Sequence, residues 1–234
     1  MTIGESLAAR MLGVVRSPRR TFEAVAAAPR WAGVLTLTCA VTAATAAAMF
    51  ETAVGRLALL DQWERTAVAF GQRVDDATYA ALAAASDQGA AYALASSLAM
   101  GPVLALGVAA ALRAAFGSPG NAGFRHVLAV VAHAGVVLML RQIVAVVLAY
   151  GRETLASPLT LGMLVTTLDE ASPLARLFGI VDLFVVWWIL VLAIGVSVLY
   201  RRPARGIALT LLGLYLLLAA ALAAAMALSG DALS

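Results

Sequence analysis

The stretch Arg176–Tyr200, RLFGIVDLFVVWWILVLAIGVSVLY, decides the fold. From Leu177 to Tyr200 it carries one charge, Asp182, and it is long enough to cross a bilayer as a helix. A carboxylate inside such a segment is costly, so it needs a partner. An earlier apolar run, Val127 to Tyr150, also holds one charge, Arg141. If the two runs are antiparallel neighbours, the charges lie about 14 Å and about 8 Å from the shared end, at ~1.5 Å per residue. The arginine side chain is long enough to close that difference. An Arg141–Asp182 pair inside the membrane is therefore expected, supported by Gln142.

The rest of the composition agrees with a membrane environment. Of 234 residues, 63% are apolar and 12% charged, and the mean hydropathy is +0.94. A soluble domain carries about 25% charged residues, so this chain has too little polar surface to cover a globule in water. All 16 basic residues are arginine. Together with the abundance of alanine this suggests a GC-rich, bacterial genome. The single cysteine, Cys39, excludes an internal disulfide framework.

Working outward to the N-terminus, residues 1–31 read as a cytoplasmic amphipathic segment. Ile3, Leu7, Met11, Leu12 and Val15 recur at helical spacing, with Arg10 and Arg16 among them. That pattern fits a helix in the membrane interface, arginines toward phosphate headgroups. Ser17-Pro18 restarts a helix, Ser17 at the N-cap and Pro18 at the first position, and the expectation is that Phe22 and Val25 then face lipid. Residues 32–234 form one five-helix transmembrane domain, so the fold class is all-α. The first span covers about 32–50. Its Thr38, Thr42 and Thr45 share a face, and their hydroxyls are expected to bond back to the helix backbone.

Residues 51–89 are the longest polar region. One helix is expected to continue out of the first span, break near 71–76, and be followed by a second helix feeding span two. Asp75 and Asp76 read as a helix cap or a cation pair, the cap being the commoner outcome. Span two covers about 90–112 and contains Gly101-Pro102, which predicts a kink. Span three covers about 124–150. It carries His126 and His133 seven residues apart on one face, too few ligands for a strong metal case; His133 is better read as hydrogen-bonded or cavity-lining than as a metal or proton group. Leu159–Leu168 is too short to span and reads as re-entrant or surface. Span four is the opening stretch, RRPARG forces a hairpin, and span five covers about 207–228.

Charge then orients the chain. The N-terminal segment, the loop 113–125 and the linker 201–205 hold ten arginines and two acids. The loops 51–89 and 151–176, with the tail, hold five arginines and ten acids. The positive-inside rule places the N-terminus in the cytoplasm and the C-terminus outside, in a cell inner membrane.

The residues also support a family resemblance. Pro18 with Thr21-Phe22, the run Asp182-Leu183-Phe184 with Trp187, Gly195, and the Arg-rich hairpin into span five resemble the Yip-domain (Ypt-interacting protein) family. The resemblance implies a bundle of five helices with a cytoplasmic N-terminus. Eukaryotic relatives are linked to vesicle trafficking and small GTPases. The long cytosolic N-terminal region and the DLYGP-type segment of those proteins are not found here, so GTPase binding is not expected.

Function follows only coarsely. One carboxylate lies within a span, and no GxSxG or HExxH motif occurs, so neither an intramembrane enzyme nor a cofactor or metal is expected. Nucleic acid is not an expected partner either. The expected roles are a membrane scaffold or accessory protein acting on lipid, on itself as an oligomer, or in a transport or lipid-handling complex. The alternative is a small solute, ion or proton transporter using Arg141 and Asp182, with His133 nearby.

Overall fold

The computed structural model describes residues 6–69, 72–117, 122–152, 159–164 and 173–231. Its elements are α1 (Leu7–Arg16), α2 (Pro18–Ala27), α3 (Ala32–Phe50), α4 (Ala53–Ala69), α5 (Asp76–Ser86), α6 (Gly89–Phe116) and α7 (Phe124–Arg152). A 3-10 turn follows at Leu161–Leu164, then α8 (Pro173–Ile180), α9 (Leu183–Tyr200) and α10 (Ala204–Asp231). Five helices are long and apolar enough to cross a membrane: α3, α6, α7, α9 and the stretch Ala204–Ala225 of α10. The all-α, five-span architecture expected from hydropathy is therefore present, with span ends shifted by a few residues.

The chain divides into two compact units. The first comprises Met1–Thr42, Ser97–Arg141 and Phe184–Gly213; the second comprises Ala43–Ser96, Gln142–Leu183 and Leu214–Ser234.

In the first unit, Ser17 does take the N-cap position of α2, with Pro18 at its start. The Ser17 side chain makes no capping bond; instead the Thr21 hydroxyl donates to the Ser17 carbonyl at 3.1 Å. The expectation that Phe22 and Val25 face lipid is wrong. Phe22 is 0% exposed and Val25 1%. The reason is Gly195 of α9: a Cβ there would strike Val130 of α7 and come within 3.1 Å of the Phe22 ring. The missing side chain leaves a seat into which Phe22 inserts, and burying that ring stabilises the unit by about 1.5–3 kcal/mol. Val14, Val127, Val130, Val137, Leu192 and Val196 complete this core. The α9–α10 linker turns at Arg201, whose φ of 52° is left-handed, the conformation that commonly ends a helix.

The second unit shows two departures from expectation. The helix does not continue out of the first span. It breaks at Glu51-Thr52, where the Thr52 hydroxyl accepts from the Gly55 amide at 3.0 Å and donates to the Met49 carbonyl at 2.7 Å. That is a side-chain N-cap for α4. A Cβ at Gly55 would also run into the Met49 carbonyl, so the corner is built around glycine. The expected break near 71–76 is present between α4 and α5. Span four is not one helix from 177 to 200: α8 stops at Ile180 and α9 starts at Leu183, leaving Val181 and Asp182 outside both. Aspartate competes for backbone donors and prefers the position before a helix.

Candidate functional site

The polar residues nominated by sequence fall in different places. Asp182 lies in the second unit, 4% exposed, in the gap between α8 and α9. Its backbone amide donates to the Tyr215 hydroxyl of α10 at 3.0 Å, and that hydroxyl donates to the Ile180 carbonyl at 3.2 Å. One phenol thus satisfies a donor and an acceptor that the interrupted helix frees. Thr160 pairs with Asp182 as an isolated bridge. Leu161 donates to the Val181 carbonyl and Leu183 to the Leu159 carbonyl, both at 2.9 Å. The turn Leu161–Leu164 therefore docks on the gap through backbone hydrogen bonds. Gly162 permits the close approach, since a Cβ there would lie 3.3 Å from the Gly179 backbone. The described part of the Leu159–Leu168 segment thus covers the helix break; 165–168 lies outside the described residues.

Arg141 is half-buried near the middle of α7 in the first unit, and Gln142 follows it in the second. Arg141 and Asp182 each engage in polar interactions. Their mutual pairing remains a proposal.

His133 is fully buried in the first unit. Its Nδ1 sits 2.7 Å from the Ala129 carbonyl one turn back. A carbonyl only accepts, so Nδ1 carries the proton, and in the neutral ring Nε2 is an acceptor. Among the described residues that Nε2 has no hydrogen-bond partner, and neither has the buried Nδ1 of His126. Among the described residues no cluster of three or more metal-ligating side chains occurs.

The resemblance residues acquire physical roles. Phe22 and Gly195 are a ring and its seat. Phe184 and Trp187 pack as a tilted aromatic pair with centroids 5.7 Å apart at the start of α9. Cys39, the lone thiol, packs against Gly101, where a Cβ would lie 2.6 Å from its sulfur. The Thr38 hydroxyl donates to the Leu35 carbonyl at 3.0 Å, the backbone satisfaction expected of it.

Outside the membrane-spanning helices, Asp75 turns out to be a cap. Its carboxylate accepts from the Thr78 amide at 2.8 Å at the start of α5. Hydrogen bonds from the Thr78 side chain and backbone hold the Asp75 carboxyl below the usual carboxylate range.

Two features escaped the sequence reading. Tyr215 is the sole tyrosine of α10, and that was its only signal. The other is a cavity of about 420 Å³ in the first unit, walled by α3, α6, α7 and Trp188 of α9. Arg141, His126 and His133 are not among its lining residues.

No curated protein and no solved structure matches the chain. The family model described as the Yip1 domain matches residues 12–226, from within α1 to within α10. With five apolar helices and that match over nearly its whole length, the chain is a multi-pass membrane protein belonging to the Yip1-domain family.

Proposed function

We propose that the protein is a non-enzymatic membrane scaffold or accessory subunit. It acts through helix surfaces on copies of itself or on a transport or lipid-handling complex. One observation carries this reading: the spans divide into wrapped and open helices. α7 and α9 are each 39% buried over their most apolar window, α6 and the first part of α10 only 17%. Val103 of α6 and Leu209, Leu217 and Leu218 of α10 are all more than half exposed. Helix association in lipid works by packing such surfaces together. The test is purification in mild detergent followed by native mass spectrometry. A defined oligomer or a stoichiometric partner is expected; a strictly monomeric, partnerless protein counts against the reading. In this reading the protein resides in a bacterial inner membrane with its N-terminus cytoplasmic, which reporter fusions to each loop would check.

A second reading, a small solute, ion or proton transporter, rests on Asp182. A buried carboxylate at an interrupted span is how transporters place coupling groups. Proteoliposome flux that vanishes on Asp182→Asn would favour it. We further propose the Arg141–Asp182 ion pair. A charge at mid-bilayer costs on the order of 3 kcal/mol on insertion scales. Arg141→Ala and Asp182→Ala should each impair folding, and the double variant should be milder; additive losses in that cycle would exclude contact.

A further inference from the structure

We infer that the first unit holds one anionic phospholipid, with an acyl chain in the slot between α3, α6, α7 and α9 and the phosphate at Arg30 and Arg125. The slot is the cavity of about 420 Å³. Its lining runs from Ser97 to Val108 on α6 and from Val131 to Met139 on α7. At ~1.5 Å per residue those stretches are about 16 Å and about 12 Å long, so the space follows the helix axes, as a lipid chain does. The lining contains no charged residue, and the Thr38 hydroxyl in its wall is already bonded to the Leu35 carbonyl. The other polar groups of the lining are few, the hydroxyls of Thr42 and Ser97 and the Trp188 indole N–H, which has no hydrogen-bond partner among the described residues, so a strongly polar solute would lose more hydration there than it regains, whereas an acyl chain has none to lose. Met100 and Leu104, 53% and 59% exposed, stand at the lining on the outward side of α6. In a membrane-spanning helix that side meets hydrocarbon, so the occupant at hand is an acyl chain.

Charge selects the headgroup. At the end of the slot marked by Leu35 and Val131, Arg30 lies five residues before Leu35 and Arg125 six before Val131. Both arginines are exposed. They flank the starts of α3 and α7, the level at which phosphates sit, and an arginine fork suits phosphate. Arg113, also near this end, is bonded to the Ala122 carbonyl at 3.0 Å, and Arg141 lies two residues past Met139, at the other end. Such a site goes beyond the scaffold reading, because helix-to-helix contact needs no lipid inside the unit, and either can fail without the other.

Trp188 in the slot wall supplies the probe. The variant Trp31→Phe, Trp63→Phe, Trp187→Phe leaves it as the single tryptophan. This protein is reconstituted in phosphatidylcholine vesicles containing a minor fraction of lipid brominated near the chain terminus. Brominated phosphatidylglycerol should quench Trp188 as though enriched on the order of tenfold over equally brominated phosphatidylcholine, the effect of two arginines near headgroup level. Arg30→Gln with Arg125→Gln should erase that preference and leave chain quenching. Ala105→Leu, which fills the slot, should reduce quenching by both lipids. Equal quenching by the two lipids in the unfilled protein, whether at or above the random-mixing level, overturns the assignment. Native mass spectrometry of the unaltered protein titrated with each lipid gives a second readout, one retained phosphatidylglycerol being expected and none contradicting the site.

Discussion

The two compact units of this chain are built on different chemistry. The first holds eleven arginines against two acids, the second five arginines against eleven acids. The first is cemented by side chains: the Phe22 ring, Val130 and the bare backbone of Gly195 interlock without a polar contact. The second is cemented at its corners by hydrogen bonds, with Thr52 capping α4, Asp75 capping α5, and Tyr215 bridging the gap between α8 and α9. An ion pair, Arg56 to Asp87 at 3.9 Å, adds little, being exposed. The difference teaches where each unit is vulnerable. Packing losses are large and depend on shape; hydrogen-bond losses are smaller and, at Asp75, depend on pH.

The comparison is most easily broken in the first unit. Phe22→Ala should destabilise by about 3–5 kcal/mol, the usual cost of an emptied aromatic site. Thermal or detergent-induced unfolding of the purified protein reads this out; a loss below 1 kcal/mol would mean Phe22 is not core. Gly195→Ala should cost about 1–3 kcal/mol by overpacking. It should be partly rescued when combined with Phe22→Leu, because the smaller side chain vacates the seat; strict additivity would separate the two residues.

In the second unit the effects shrink. Tyr215→Phe removes one acceptor and one donor at the helix gap and should cost about 1–3 kcal/mol, since the Asp182 amide is left unpaired in a buried place. Hydrogen exchange should show faster exchange at Asp182 with α10 unchanged. Thr52→Ala should cost about 1 kcal/mol and fray the first turn of α4, visible as lost protection at Gly55.

The smallest effect is at Asp75. Its folded-state carboxyl titrates below the unfolded one, so its stabilisation is fully present above the unfolded pKa. It is lost as pH falls through the folded value. Protection of the Thr78 amide should therefore fall on acidification in the unaltered protein and be low and pH-independent in Asp75→Ala.

How much of this was legible beforehand differs between the same two regions. The five spans were legible because length and hydropathy are properties of the chain itself, and α3, α6 and α7 begin within a residue of where the apolar runs begin. The break before Asp76 was legible from its polar run. The direction of Phe22 was not: a short amphipathic helix such as PRRTFEAVAA looks the same whether its apolar face meets lipid or protein. Only Gly195, 173 residues further along, shows that a ring has somewhere to go. The gap at Val181-Asp182 was hidden for a related reason. Hydropathy averages over a window, and one aspartate in an apolar run reads equally as a tolerated charge or as the residue before a new helix. Its partners, Tyr215 and the Leu161–Leu164 turn, come from distant parts of the chain. His133 was legible as hydrogen-bonded or cavity-lining; that Nδ1 makes the bond, leaving Nε2 without a partner among the described residues, had no signal in the sequence.

The Phe22 and Val25 face of α2 therefore belongs to the core of the first unit, and a photoreactive side chain tests this most directly. A benzophenone analogue of phenylalanine is placed at position 22, the protein is irradiated in a bilayer, and the adducts are mapped by mass spectrometry. Adducts should fall on the peptides of α7 and α9 around Val130 and Gly195. Adducts predominantly to phospholipid would return Phe22 to the membrane and contradict the seat described here.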